Sequence, residues 1–211
     1  MTRRSSELVV SVYGDRLCDP FRAQLDPYYG INDIALALSH ICRWGGRCSP
    51  FYSVAEHSIH VAAILTETDL PQDEVLMLIL HGLLHDASES LVGDIPTPLK
   101  SHLEVWTMEG SSGFGYLEAN LQRAILKQLG VPEVTKAQKE HIAAADKRAL
   151  AWEAKYFMGN PSWAPEVNPE DDMEPEDYMV DPGVAREQFL SVYIQCMSAC
   201  KDRGLLVSGG E

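Results

Sequence analysis

Residues 81–100 read HGLLHDASESLVGDIPTPLK, and in their midst His85 is followed directly by Asp86. The preceding QDEVLMLILHGLL (72–84) is apolar on nearly all sides between Val75 and Leu84. That pattern predicts one helix from Gln72 to about Val92, central in a bundle and stopped by Gly93. Neighbouring side chains on a helix point about 100° apart, so two adjacent polar residues within an apolar helix do not share a face. Whatever uses both at once must draw on distant parts of the chain.

Working outward, NDIALALSHIC (32–42) carries Ile34, Leu38 and Ile41 at helical spacing, with Asn32 as the expected N-cap and Gly45-Gly46 ending the helix near Arg43. SVAEHSIHVAAILTE (53–67) starts with Ser53 and Glu56 in the register of a capping box. Beyond a glycine-rich break, EGSSGFG (109–115), come helices over 116–130 and 135–159, closed by Gly130 and Gly159. The segment LVVSVYGDRLCDPF (8–21) alternates around Gly14-Asp15 and suggests a short N-terminal β-hairpin. The reading is an all-α helical bundle in a single domain, 1–211. It comprises a hairpin region (1–30), a helical core (31–159), an acidic loop (160–182) and a C-terminal helix (183–204).

The chain has 211 residues, is 45% hydrophobic and carries a formal charge of −14, which suits a folded core and an acidic surface. Residues 160–182 contain eight acids and no Lys or Arg, so more than half of that charge is local. Such a surface argues against nucleic acid or anionic lipid as a partner, while a small anionic substrate fits wherever a few cations converge. The N-terminal MTRRSSELVV lacks the apolar core of a signal peptide and no apolar run reaches the roughly 18 residues of a membrane span, so a cytoplasmic location is expected. Five cysteines without a CxxC pair read as reduced thiols, with Cys196 and Cys200 as core residues one helical turn apart.

Four polar residues fall among small or apolar neighbours: His57, His85, Asp86 and Asp146, the last within AAADKRA. Unpaired, each would be costly to bury. A divalent cation between packed helices compensates all four, since two imidazoles and two carboxylates suit several first-row metals and leave positions open for water. His60 and His81 lie on the same helices and would be needed for a second metal; the more ordinary reading makes them core or supporting histidines. P-loop, GxSxG and cysteine-nucleophile motifs are absent, leaving hydrolysis by cation-activated water as the economical chemistry.

The order His57, His85-Asp86, Asp146 resembles the H…HD…D signature of the HD-domain metal-dependent phosphohydrolases. EHSIHVA and LLHDASESLVGDIPTPLK are similar to the 5′-deoxynucleotidase branch. NDIALALSHICRWGGRCSPFYSVAEHS resembles a phage and prophage subgroup that includes dATP-hydrolysing enzymes. The likeness covers residues 8–155 and implies an HD-domain helical bundle with one divalent cation (Zn, Co or Mn), a homo-oligomer that removes 5′ phosphate from deoxynucleotides. By position it implies His57, His85, Asp86 and Asp146 as metal ligands, Glu89 as the acid acting on water or the leaving oxygen, and Asp94 as a second acid at the substrate. Arg43 would bind phosphate and Trp44 would crowd the sugar's 2′ position. Lys100, with Lys147 and Arg148, would add positive potential. The resemblance tilts the substrate toward deoxyadenine nucleotides, dATP included. Two other readings are an alarmone hydrolase acting on (p)ppGpp, although Ser90 stands where those enzymes carry a second acid, and a nucleotide sensor without catalysis.

Overall fold

Ten of the twelve residues of the helix over Val54–Leu65 are buried, and four other helices pack against it. The computed structural model describes residues 10–11, 17–107, 110–168 and 178–206. In chain order the helices are α1 (Ile31–His40), α2 (Val54–Leu65), α3 (Gln72–Leu83), α4 (Glu89–Val92), α5 (Thr97–Lys100), α6 (Phe114–Gln128), α7 (Lys136–Phe157) and α8 (Pro182–Asp202). Two small antiparallel pairs complete the described part: β1 (Val10–Ser11) with β2 (Leu17–Cys18), and β3 (Glu104–Thr107) with β4 (Gly110–Gly113). The mainly α-helical bundle agrees with the reading of the sequence, and the β1–β2 pair is the expected hairpin, whose turn at Gly14-Asp15 lies outside the described residues.

The sequence expectation placed α3 at the centre; the structure puts α2 there, packed by α1, α3, α7 and α8. Ala55, Ser58 and Ala62 are small and fully or almost fully buried, so neighbouring helices approach α2 from several sides at once. The largest apolar cluster joins Ile34 and Leu38 of α1, Leu80 and Leu83 of α3, Leu121 and Ile125 of α6, and Phe189 of α8. A second fills the seam between α2, α3 and α7 with Val61, Leu65, Leu78 and Ile142. Each such Leu, Ile or Val contributes about 1.5–3 kcal/mol by leaving water. Cys200 lies in the first cluster with its thiol against Met77, as expected of a core cysteine, and no disulfide joins the described cysteines.

Helix boundaries are where local reading and structure part. The N-cap of α1 is Gly30 rather than Asn32; its N–H donates to Asp33 Oδ2 at 3.0 Å, so the acid one residue beyond Asn32 closes the turn. The capping box at Ser53 and Glu56 forms as expected. EGSSGFG is not merely a break, because Gly110–Gly113 pairs as β4 with β3, a strand formed by cross-strand bonding against the low strand propensity of Gly and Ser.

Gly82 sits where α3 crosses α2: a Cβ there would stand 2.3 Å from Leu65 Cδ1 and 3.5 Å from Val61 Cγ1. Gly82→Ala, which in an exposed helix stabilises by up to about 1 kcal/mol, should here destabilise by about 1–3 kcal/mol in urea unfolding. His81 beside it is 2% exposed, neither ring nitrogen has a hydrogen-bond partner among the described residues, and burial pushes its pKa down to about 4. The unfolded chain therefore binds a proton below about pH 6.5 that the folded chain refuses. Stability should fall by about 2–3 kcal/mol from pH 6.5 to 4, and His81→Leu should flatten that limb of a stability–pH curve.

Candidate active site

His57 enters the site from the second turn of α2, wholly buried. Its Nδ1 lies 2.5 Å from Glu153 Oε1, and a carboxylate bearing no proton accepts only, so Nδ1 carries a hydrogen and, in the neutral ring, Nε2 presents a lone pair. His85 is set the same way, because its Nδ1 donates to the Gly82 carbonyl at 2.7 Å. The two Nε2 atoms stand 3.2 Å apart. Asp146 Oδ1 is 3.2 Å from His57 Nε2, and Asp86 Oδ2 is 3.2 Å from His85 Nε2 and 3.7 Å from His57 Nε2. With both rings neutral, four acceptor atoms thus face one another, and either a proton or a cation between them would relieve their repulsion.

Donor atoms bound side by side at about 2.1 Å to one cation stand about 3.0–3.4 Å apart. Three of the four separations, each 3.2 Å, fit that spacing, Asp86 Oδ2 to His57 Nε2 being longer at 3.7 Å, and the ligand atoms of His57, His85 and Asp146 all lie within 4.8 Å of one another. Electrostatics agree. Burial opposes protonation of His85, but Asp86 and Asp146 override it and hold the pKa up at about 9. Burial and Arg43 oppose protonation of His57, and Glu153 with Asp146 outweigh them. Asp86 and Asp146 are held below the usual carboxylate range, against burial, chiefly by the two histidines. A pocket that draws positive charge onto its nitrogens equally favours a metal ion.

The adjacency of His85 and Asp86 is resolved by a break in the helix. The α-helix ends at Leu83, not near Val92, and residues 84–88 form turns in which Ala87 N–H reaches Leu84 O and Glu89 N–H reaches Asp86 O, three residues back. This tighter winding brings both side chains to the same side. Gln122 of α6 bridges the break, with Nε2 donating to Leu84 O at 2.6 Å and Oε1 accepting from Ser88 N–H at 3.1 Å. Nothing local in the sequence signals Gln122, since it lies 34 residues away on an amphipathic helix.

Arg43 and Trp44 occupy a 3₁₀ turn, Arg43–Gly46, strapped to the start of α2 by Arg43 N–H to Tyr52 O and Val54 N–H to Ile41 O. Arg43 Nε donates to Glu153 Oε2 at 3.0 Å while its NH1 lies 3.8 Å from Asp86 Oδ2. Trp44 has φ +61°, a left-handed backbone that costs a bulky residue about 1 kcal/mol or more, and its ring lies 5.7 Å from that of Trp163. Glu89, at the start of α4, is 4% exposed; burial, then the charges of Asp86 and Asp94, push its pKa up to about 8. Asp94 is raised by burial and drawn back by Arg43. Lys100 of α5 reaches Glu89 at 3.4 Å and Glu118 at 2.7 Å.

The structure therefore gathers His57, His85, Asp86, Asp146, Arg43, Glu89, Asp94 and Lys100 around one spot, while Trp44, next to Arg43 in the chain, packs against Trp163 and the apolar cluster of Cys48, Tyr52, Trp152 and Phe157. Three other residues lie elsewhere. Arg148 is drawn to Glu67 beyond the end of α2, at 2.6 Å, and Lys147 is exposed. His60 turns into an aromatic cluster, its ring 4.9 Å from Trp152 and 4.8 Å from Tyr178. Glu153, unmarked in the sequence reading, lies wholly buried among these groups; its spacing of seven residues from Asp146 on one helix face was the available signal.

The model of the 5′-deoxynucleotidase YfbR-like family matches residues 33–156, which span every residue of this cluster. The chain belongs to the YfbR-like family. Among its relatives it is 38% identical over 104 residues to YfdR, an uncharacterized protein of Escherichia coli, a match covering 49% of each chain. It is 34% identical over 132 residues to an uncharacterized protein of Rhodobacter capsulatus, covering 61% of this chain and 63% of that one. The matched stretch thus spans about half to somewhat under two thirds of these relatives. Among the described residues of this YfbR-like chain no helix is long and apolar enough to cross a membrane.

Gln122→Leu leaves the Leu84 carbonyl and the Ser88 N–H without partners, which should cost about 1–3 kcal/mol in urea unfolding. Because the same bonds hold the break open, cobalt affinity measured by titration calorimetry should fall as well.

Proposed function

We propose that the protein is a divalent-cation-dependent phosphohydrolase that removes 5′ phosphate from 2′-deoxynucleotides, with deoxyadenine nucleotides (dAMP, dADP or dATP) preferred. The observation that carries this reading is the meeting of two imidazoles and two carboxylates at one point that is closed on the His57 side and open to solvent on the Asp146 side, with the Arg43 guanidinium alongside. Membership of the YfbR-like 5′-deoxynucleotidase family supports the reaction class; the adenine preference and the inclusion of dATP rest on the resemblance of residues 32–58 alone. The whole chain is read as one catalytic unit acting as a homo-oligomer, for which exposed Trp106, Tyr116 and Ile194 offer apolar surface.

His57, His85, Asp86 and Asp146 would hold the cation, zinc, cobalt or manganese. When bound, such an ion supplies polarisation of a phosphoryl oxygen and acidifies a water molecule. Arg43, charged at any physiological pH and fixed by Glu153, binds the phosphate oxygens. Glu89 keeps its proton near neutral pH and gives it to the leaving 5′ oxygen, since a donor works best with a pKa near the working pH. Asp94 shares the field of Arg43 and orients the substrate, Lys100 supports Glu89, and Trp44 excludes a 2′-hydroxyl by bulk. The alarmone reading is disfavoured by Ser90, whose hydroxyl bonds to the Ala87 carbonyl and to the Tyr29 hydroxyl at 2.5 Å each. No acid is available at that place.

Metal-stripped protein reloaded separately with Mn, Co or Zn should release deoxynucleoside from a panel of dAMP, dADP, dATP, the other deoxynucleotides, AMP, ATP and ppGpp. The products, followed by chromatography, separate monophosphate from triphosphate cleavage. Asp86→Ala should lower turnover by more than about 100-fold, beyond the loss typical of groups that merely support a ligand. Absence of cation-dependent hydrolysis of every nucleotide in the panel would overturn the proposal.

A further inference from the structure

Glu153 is fully buried on α7, far in sequence from both of its partners. One oxygen, Oε1, lies 2.5 Å from His57 Nδ1; the other, Oε2, accepts from Arg43 Nε at 3.0 Å. His57 comes from α2 and Arg43 from the turn after α1, so this carboxylate is the joint between three separate elements. Asp146, two helical turns earlier on α7, faces the opposite ring nitrogen of His57 at 3.2 Å. Both nitrogens of one imidazole are thus met by carboxylates of one helix. Left to Asp146 alone, His57 would place its proton on Nε2 and donate toward Asp146, which closes the lone pair that a cation needs.

We propose that Glu153 is the positioning residue of this site, a single buried carboxylate that keeps the His57 proton on Nδ1 and fixes the Arg43 side chain beside Asp86. The cation-holding and phosphate-holding halves of the site then share one anchor. The role needs an acceptor at both oxygens. Glutamine offers one acceptor and turns an NH₂ group toward the second donor, and aspartate is one methylene too short on a helix whose position is set by Ala149, Trp152 and Ala154 in the core. The catalytic meaning of this arrangement rests on the phosphohydrolase reading, whereas the placement of the His57 proton does not.

The test uses three readouts on the full chain. In metal-free wild-type protein at a pH where His57 carries a single proton, long-range ¹⁵N–¹H spectra of the imidazoles should place that proton on Nδ1; a single proton on Nε2 overturns the proposal without any variant or turnover. In Glu153→Gln, cobalt affinity measured by competition with a chromophoric chelator should weaken about 10–100-fold. At saturating cobalt its KM for dAMP should also rise, because Arg43 has lost its holder. A folded Glu153→Gln protein with cobalt affinity and KM within twofold of wild type would make Glu153 a structural residue only and overturn the proposal. If the variant does not fold, the wild-type spectrum decides alone. Failure of the functional reading looks different: wild-type protein that binds cobalt yet hydrolyses no nucleotide, with the spectroscopic and affinity results still deciding the role of Glu153.

Discussion

Two imidazole nitrogens facing each other at 3.2 Å, each ring held at its far nitrogen by an acceptor so that only a proton or a cation can fill the space between them, are the constraint around which the site is arranged. Neighbouring acceptors repel, and at His57, which is wholly buried, water cannot relieve them. The arrangement persists because packed elements impose it: α2 carries His57, the turn after α3 carries His85, and α7 supplies both Asp146 and Glu153. A positive ion at their centre turns that repulsion into coordination. Helices buried on most sides are what give the cluster its rigidity.

Local rules are broken at this place and obeyed elsewhere. The apolar run from Val75 to Leu84 favours continued helix, yet the helix stops at Leu83, and the Leu84 carbonyl and Ser88 N–H at the break find Gln122 as their partner. Trp44 takes a left-handed backbone in a turn held by two bonds to the entrance of α2. Departures of this kind cost stability and survive where surrounding packing over-determines them, which is typical of functional sites. Here they bring His85 and Asp86 to one side and keep Arg43 at 3.8 Å from Asp86.

The carboxylates of the cluster are driven in opposite directions. Asp86 and Asp146, against imidazoles, stay ionised, while Glu89, buried and flanked by Asp86 and Asp94, holds its proton to about pH 8. Side chains of the same chemistry are thus divided by environment alone between groups that stay ionised and one that keeps its proton. Lys100 moderates Glu89 and is itself tied to Glu118, which links α5 to α6 beneath the site.

The sequence by itself determined the helical class, the capping box of α2 and the short list from which the cluster is drawn. Periodicity and caps act within a few residues, and buried His and Asp stand out against apolar neighbours wherever they occur. It determined less at boundaries decided by distant partners: Gly30 capping α1 through Asp33, the pairing of Gly110–Gly113 with β3, and the end of α3. Tertiary structure alone decided that Arg148 turns to Glu67 and His60 to Trp152, and that Gln122 and Glu153 are drawn into the site. Glu153 stands 96 residues from His57 and 110 from Arg43, separations over which no local pattern is written. Whether a carboxylate is solvated or becomes the anchor of two distant side chains is settled when the helices close, because only then does burial remove water as the competing partner.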